Sequence, residues 1–274
     1  MTIHVRAPAT TANIGPGFDC AAAALDLWNE LEVEEGSAEA DESHESHLGV
    51  QAFARLAPTA GKSFRFTDRI PRERGLGSSA AVIALGLVAG ALAAGKHPNP
   101  EELLAEGVEL EGHADNLAAA LAGGVCLTWE NRIARIADNL PAIPIAIVPE
   151  TTVSTAAARN SLPDSIPHAD AVFTAGRAAL LGAALAQGSS QLFAAAIHDR
   201  LHEPYRSGKA PLLDAVRAAL PVGALGATLS GSGPTVIVWV REESAAASEA
   251  ELASRFTEAS VIRFAVSAEG ASRI

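Results

Sequence analysis

Pro71-Arg72-Glu73-Arg74-Gly75-Leu76-Gly77-Ser78-Ser79-Ala80-Ala81, followed by an uncharged run as far as Lys96, is the stretch around which this chain must organise. Two closely spaced glycines let the backbone turn tightly with nothing projecting, and two serines then open an apolar segment, Val82 to Ala94, that reads as a helix. The first turn of such a helix holds backbone N–H groups with no intrahelical partner, and the positive end of its dipole points the same way. An anion belongs there, most commonly a phosphate, so the stretch reads as a nucleotide-phosphate site. Competing readings meet specific objections. About 20 uncharged residues suffice to span a membrane, but this run is rich in Ala and Gly and has no Trp or Tyr at its ends. Gly75, Gly77 and Ala80 satisfy a dinucleotide-binding GxGxxA pattern, yet charged residues precede them where a buried strand should stand. Gly61-Lys62-Ser63 lacks the glycine a Walker-A loop needs, because position 56 is Leu56. A plain buried Ala-rich helix behind a glycine turn is the remaining alternative.

A chain of 274 residues, 49% of them apolar, can bury a sizeable core and is no disordered polymer. Its net charge of −12 repels polyanions, which argues against nucleic acid or an anionic membrane as partner. Any bound phosphate must therefore be held by local donors. Cys20 and Cys126 are too few for a disulfide framework or a zinc site, and Met1 to Arg6 holds no signal-peptide core. A cytoplasmic location is the expectation.

Ile3 to Ala7 alternates as a first strand ending at Pro8, and Ala9 to Asp19, with Gly15, Pro16 and Gly17, reads as a loop of the kind that holds side chains for ligands. A strand pair is expected over Ala21 to Val33, then a solvated acidic loop from Glu34 to Glu45. His44 and His47 lack regular metal-ligand spacing. A helix over Leu48 to Ala57 and a strand over Ser63 to Ile70 lead into the glycine turn. Asn99-Pro100-Glu101-Glu102 is a strong helix start, and that helix stops near Gly112. A short helix over Leu117 to Leu121 follows, with Asp115 or Asn116 as its cap, and then strands at Val125 to Trp129, Ile133 to Ile136 and Ile143 to Val148. Pro141 and Pro144 mark a domain junction, giving units 1–143 and 144–274. The second half carries helices near Thr155 to Asn160, Ala169 to Ala186, Gln191 to Asp199, Pro211 to Ala219 and Glu243 to Phe256, with strands at Val236 to Val240 and Val261 to Val266. Neither half alternates strand and helix in βαβα order. An α+β architecture follows, with mixed or antiparallel sheets covered by helices.

The segments Pro-Ala-Thr-Thr-Ala-Asn-Ile-Gly-Pro-Gly-Phe-Asp at 8–19, Gly-Leu-Gly-Ser-Ser-Ala-Ala at 75–81 and Leu-Ser-Gly-Ser-Gly-Pro-Thr at 229–235 resemble the signature motifs of the GHMP kinases, in the same order. Within that superfamily the chain is most similar to the homoserine kinases. Three segments carry the finer likeness: His113-Ala114-Asp115-Asn116 before Gly123-Gly124, Ser154-Thr155-Ala156-Ala157-Ala158-Arg159 before Leu162-Pro163, and Asp199-Arg200-Leu201-His202-Glu203-Pro204-Tyr205-Arg206. The resemblance implies a two-domain GHMP kinase fold, ATP as donor, Mg²⁺, and L-homoserine as acceptor in threonine biosynthesis. It also implies a homodimer.

By the same resemblance, Asn13, Asn116 and Arg159 are catalytic, and Asn13, Asp19, His113, Arg159 and Arg206 bind substrate. Two guanidinium groups suit the carboxylate of a small zwitterion, because each donates paired N–H bonds in a fixed plane. Asp19 answers the ammonium. Pro71, Arg74, Gly75, Leu76, Gly77, Ser78, Ser79, Ala80, Ser230 and Gly231 are expected around the nucleotide. Ser79 and Glu109 are the expected magnesium ligands, with Glu106 and Glu111 as competitors for the carboxylate. Asn116 stands where related kinases of the superfamily carry a catalytic aspartate, and phosphoryl transfer depends mainly on positioning and charge stabilisation. Two departures from the family pattern are His47, in place of an adenine-contacting Asn, and the glycine-free run Cys20-Ala21-Ala22-Ala23. An acceptor such as mevalonate or a diphosphocytidyl methylerythritol would leave Arg159, Arg206 and Asp19 without a reason to converge. A non-catalytic sensor on this fold would be expected to have lost part of the turn, and Gly75, Gly77, Ser78 and Ser79 are all present.

Overall fold

A computed structural model describes residues 2–36, 46–206, 208 and 210–274. Most of the acidic run expected before Glu45, with His44, lies outside the described residues. The first half is built on a long hairpin, β1 (Thr2–Asn13) against β2 (Gly17–Glu35). Pro8 was expected to end the first strand, but β1 runs through it. Pro8 faces Trp28 and Ala9 faces Leu25, so a bulge in β2 absorbs the proline's missing N–H donor and the pairing resumes. The expected loop over Ala9 to Asp19 is therefore mostly strand, with the turn confined to the few residues after Asn13. Asn13, Ile14 and Gly15 all have positive φ there. Likewise, Ala21 to Val33 is part of one continuous strand rather than a pair.

β3 (Lys62–Thr67) joins the far half of β2, and β4 (Val125–Trp129) and β5 (Arg132–Ala137) extend the sheet on the other half. The chain then changes sheets. β6 (Ile143–Pro149) enters a second sheet of order β7-β8-β6-β9, where β7 is Ala224–Leu229, β8 Val236–Val240 and β9 Ala259–Arg263. β10 (Ser272–Arg273) returns to the free edge of β1. Every pairing between these strands is antiparallel, the simpler of the two expected arrangements.

Helices α1 (Leu48–Ala54), α2 (Ser78–Ala93), α3 (Pro100–Glu111) and α4 (Asp115–Ala122) cover the first sheet. The uncharged run is α2, too short to cross a membrane as it stands, and buried residues occupy all its faces. Small side chains let it sit close to the sheet, in a core shared with Ala7, Ala9, Ala12 and Ala21 to Ala23. α3 begins as its sequence demands, the Asn99 carboxamide accepting from the Glu101 and Glu102 N–H groups at 3.0 and 3.4 Å. The second half adds α5 (Thr155–Arg159), α6 (His168–Gln187), α7 (Ser190–Ala196), α8 (Glu203–Arg206), α9 (Leu212–Arg217) and α10 (Ala245–Arg255). Among the described residues, α6 is the one helix long and apolar enough to cross a membrane by length and composition.

The glycine turn is held from behind. A Cβ on Gly75 would lie 2.2 Å from the Ser230 carbonyl oxygen, and one on Gly77 would lie 1.9 Å from Thr10 Oγ1; both residues also have positive φ. Gly75→Ala and Gly77→Ala are each expected to lower unfolding stability by about 1–3 kcal/mol. Denaturant melts compared with Gly61→Ala, where a Cβ meets open space at a similar φ, separate the clash from the backbone strain.

Candidate active site

A cleft of about 250 Å³ opens in front of this turn. One wall is the turn and the start of α2, with Gly75, Gly77, Ser78 and Ser79. The opposite side brings Asn13, Asp19, Arg159 and Arg206, and the floor brings Glu111, His113, Asp115 and Asn116. Gly77 occupies the N-cap position of α2 and supplies no side-chain cap, so the first-turn N–H groups are left for a ligand.

Hydrogen bonds brace the turn. Ser230 Oγ donates to the Gly75 carbonyl at 2.6 Å and lies 2.9 Å from Thr11 Oγ1, while the Thr10 N–H donates to the Leu76 carbonyl at 3.1 Å. Thr10 Oγ1 donates to Asn116 Oδ1 at 2.7 Å. The end of β1, the glycine turn, the Ser230 loop and the start of α4 are thus one hydrogen-bonded unit.

Asp19 and Arg159 form a bidentate pair, 2.8 and 3.0 Å, across the opening. Asn13 donates through Nδ2 to the Gly231 carbonyl at 2.8 Å and accepts the Asp19 N–H at 3.0 Å, which fixes the Asp19 backbone at its positive φ. Arg206 is buried, and its Nη1 donates to the Gly231 carbonyl at 3.2 Å and to His202 Nδ1 at 3.1 Å. Both acceptors are uncharged. Among the described residues no carboxylate lies within ion-pair distance of Arg206, and its buried Nε has no partner. Burial lowers its pKa, with Arg159 acting the same way and the more distant carboxylates of Asp19, Asp199 and Glu203 opposing.

On the floor, Ser79 Oγ donates to the Glu111 carboxylate at 2.5 Å. Burial pushes the Glu111 carboxyl above its ordinary pKa, opposed by that hydrogen bond. His113 Nδ1 lies 3.3 Å from Asp115 Oδ1, in an ion-pair contact that is poorly aligned as a hydrogen bond. This carboxylate raises the His113 pKa against the opposing effect of burial.

Residues 46–124 match the family model described as GHMP kinases N terminal domain, and residues 176–258 match GHMP kinases C terminal. A homoserine kinase of Synechococcus sp. is 38% identical over 260 residues, covering 86% of this chain and 85% of that relative. The chain belongs to the homoserine kinase family, within the GHMP kinases. A homoserine kinase of Gloeobacter violaceus is 38% identical over 93% of both chains. The crystal structure of homoserine kinase from Cytophaga hutchinsonii superposes with a TM-score of 0.88 at 28% identity, over 100% of this chain and 97% of that one. The fold is the two-domain GHMP kinase fold.

The structure brings most of the expected residues of this kinase to the cleft and corrects four. Glu109 is exposed and pairs with Arg55 at 3.0 Å, so it is not the carboxylate beside Ser79; Glu106 is exposed as well. Glu111 takes that place. Residues 109 and 111 point about 200° apart around a helix, so an alignment slip of two residues exchanges an inward side chain for an outward one. Leu76 and Ala80 are turned into the core, and Ser230 spends its hydroxyl on Thr11 and Gly75; none of the three lines the cleft. The expected capping role of Asp115 also fails. Ala114 holds the N-cap position, and Asp115 Oδ1 accepts from the adjacent Asn116 N–H at 2.7 Å. Pro71 and Arg74 stand at the rim, Arg74 donating to the Glu150 carbonyl at 2.8 Å. Glu73, Val153 to Thr155 and Ser232 line the cleft without having been singled out. Ser154 carried a signal in its motif beside Arg159, whereas Glu73 and Ser232 had only their position next to a glycine turn.

His113 is expected to titrate above the ordinary value of 6.5. Its contact with Asp115 then contributes stability in full below the unfolded-state value, and this is lost as pH rises through the raised folded-state value. In an NMR titration Asp115→Asn should bring the His113 midpoint down, because burial and the nearby Arg159 both oppose its charge.

Proposed function

We propose that the chain transfers the γ-phosphoryl group of ATP to the side-chain hydroxyl of L-homoserine, giving O-phospho-L-homoserine and ADP, with the residues of this cleft in the roles given below. The observation that carries the reading is Arg206, a buried guanidinium whose acceptors among the described residues are neutral, facing the same cleft as the Asp19–Arg159 pair. An amino acid brings both charges this arrangement lacks. Its carboxylate joins Arg206 and Arg159, and its ammonium takes up Asp19. The ionic contact between Asp19 and Arg159 is exchanged for contacts with the zwitterion, so neither side chain is left uncompensated.

Held at that end, the substrate directs its hydroxyl toward the phosphate turn. The nucleotide phosphates lie against Gly75, Gly77 and the first-turn N–H groups of α2, and the base enters the adjoining hollow lined by His47, Leu48, Arg72 and Val82. His47 caps α1 there and packs on Phe66 with ring centroids 4.1 Å apart. The new O–P bond forms as the bond from the γ-phosphorus to the bridging oxygen breaks, ADP leaves, the hydroxyl proton is released to solvent, and in-line placement supplies most of the acceleration. Ser79 Oγ and the Glu111 carboxylate are a hard-oxygen pair of the kind Mg²⁺ prefers, and the half-buried acid favours a cation. When bound, the ion neutralises charge on the phosphates. Asn116 and Asp115 hold the floor of the site, fixed by Thr10 and His113. A cytoplasmic homodimer acting in threonine biosynthesis, without nucleic-acid or membrane partners, is the setting this activity suits.

The direct test is ATP-dependent phosphorylation of L-homoserine, with L-threonine, L-serine, mevalonate and no acceptor alongside. Selective formation of O-phospho-L-homoserine is expected, and transfer to mevalonate with none to homoserine would reject the reading. Arg206→Ala should cost about 2–5 kcal/mol in kcat/KM for homoserine while leaving ATP binding nearly intact. Glu111→Ala should raise the magnesium concentration needed for half-maximal rate by at least about tenfold, roughly one charge-assisted contact. Glu109→Ala, which breaks an exposed pair with Arg55, should leave that requirement unchanged.

A further inference from the structure

His202 is fully buried and borders the cleft only through its neighbours. Its Nε2 lies 2.9 Å from the Gly15 carbonyl oxygen, which can only accept, so Nε2 carries the proton. Its Nδ1 lies 3.1 Å from Arg206 Nη1, which can only donate, so Nδ1 presents its lone pair. The two contacts fix one neutral tautomer. Of the nearest charged groups, Asp199 and Glu203 favour the imidazolium and Arg206 opposes it, but both carboxylates are engaged elsewhere. Asp199, 3.7 Å from Nε2, has its carboxylate engaged by the Leu201, His202 and Glu203 N–H groups at 2.9, 2.7 and 2.9 Å. Glu203 is engaged by Arg217 and by the Leu229 N–H, and Arg206 itself opposes a second positive charge. Burial lowers the His202 pKa, in the same direction.

The ring also stacks on Phe18, with centroids 4.9 Å apart at 24°. Phe18 in turn lies under Arg206 and Arg159, their guanidinium carbons 5.1 and 5.9 Å from its centroid. Gly15 and Phe18 belong to the turn that also places Asn13 and Asp19. His202 therefore ties the guanidinium of Arg206 to the segment carrying the opposite charge of the site.

We infer that His202 is a positioning residue for substrate selection: as a neutral acceptor bridging the Gly15 carbonyl and Arg206, it sets the plane in which Arg206 meets the carboxylate of the acceptor. A guanidinium recognises a carboxylate by two parallel N–H bonds, and a rotated plane offers one or none. With Nη1 held by His202 and the Gly231 carbonyl, the unpartnered Nε edge is the part kept for the ligand. This inference rests on the proposed role of Arg206.

The experiment compares kcat/KM for L-homoserine with that for L-homoserine amide, an acceptor of the same shape without the negative charge. His202→Ala is expected to lower the ratio of the two by about tenfold to a hundredfold, the range for a hydrogen bond to a charged group. A loss of packing alone would slow both acceptors together and leave the ratio where it was. His202→Asn places an amide oxygen near the Nδ1 position and should recover most of the ratio. His202→Gln reaches toward Gly15 but offers Arg206 no acceptor, and should not. If His202→Ala fails to fold, the Asn and Gln variants decide the matter between them. Equal ratios in those two, or an unchanged ratio in His202→Ala, overturn the inference. Arg206→Ala is run in parallel. If its ratio is also that of the parent, the carboxylate role of Arg206 falls and the positioning role with it; if only the Arg206 ratio collapses, the fault lies with His202 alone.

Discussion

The hydrogen bonds between the phosphate turn and the end of the first strand carry the rest of the site. Gly75 and Gly77 leave room for Ser230 and Thr10 to reach the turn directly, and those residues bring with them the second sheet's loop and the start of α4. A side chain at either glycine would push these pieces apart. The two sides of the cleft are thus aligned by short hydrogen bonds from the Thr10 and Ser230 hydroxyls and the Thr10 N–H, which fix the turn more tightly than apolar packing alone. This also explains why the glycine turn is followed by so small-sided a helix. α2 must approach the sheet closely for its first turn to meet Thr10, and alanine and glycine allow that approach.

Charge in the cleft is arranged to be incomplete. On one side a carboxylate and a guanidinium answer each other; beside them sits a second guanidinium answered by neutral atoms only. A buried cation without a counter-ion costs stability, and the fold offsets that cost through hydrogen bonds from Arg206 to the Gly231 carbonyl and His202 and through the face of Phe18. A half-buried acid hydrogen-bonded to Ser79 is the opposite imbalance, beside the glycine turn. Each imbalance has the sign opposite to the ligand group proposed for it.

Much of this was legible in the sequence because the functional groups sit in short segments whose chemistry is local. A glycine pair before an uncharged run announces a tight turn into a helix, and Asn99-Pro100-Glu101-Glu102 announces a helix start; the structure reproduces both. What could not be read was long-range or angular. Pro8 looked like a strand end because a proline removes a donor, and only the pairing partner reveals that a bulge in β2 accommodates it. Glu109 and Glu111 are indistinguishable by type, and only the rotational phase of α3 decides which one faces Ser79. Ser230 was recognised as belonging to the site, but its side chain braces backbone behind the cleft, a distinction that depends on a partner more than 150 residues away. His202 lay in a segment already singled out for its arginine. Its contribution is to that arginine's orientation, which a one-dimensional pattern does not record.

The segment after β6 joins the two ends of the cleft. The Val153 N–H donates to the Glu73 carbonyl at 3.1 Å and Arg74 reaches the Glu150 carbonyl, so this strap is fastened to the nucleotide turn at its start and delivers Arg159 to the acceptor at its end. Ordering one end reduces the freedom left to lose at the other. With donor and acceptor placed as proposed, one strap touches both, and by linkage any advantage that the first to arrive confers on the second is returned in equal measure when the order is reversed.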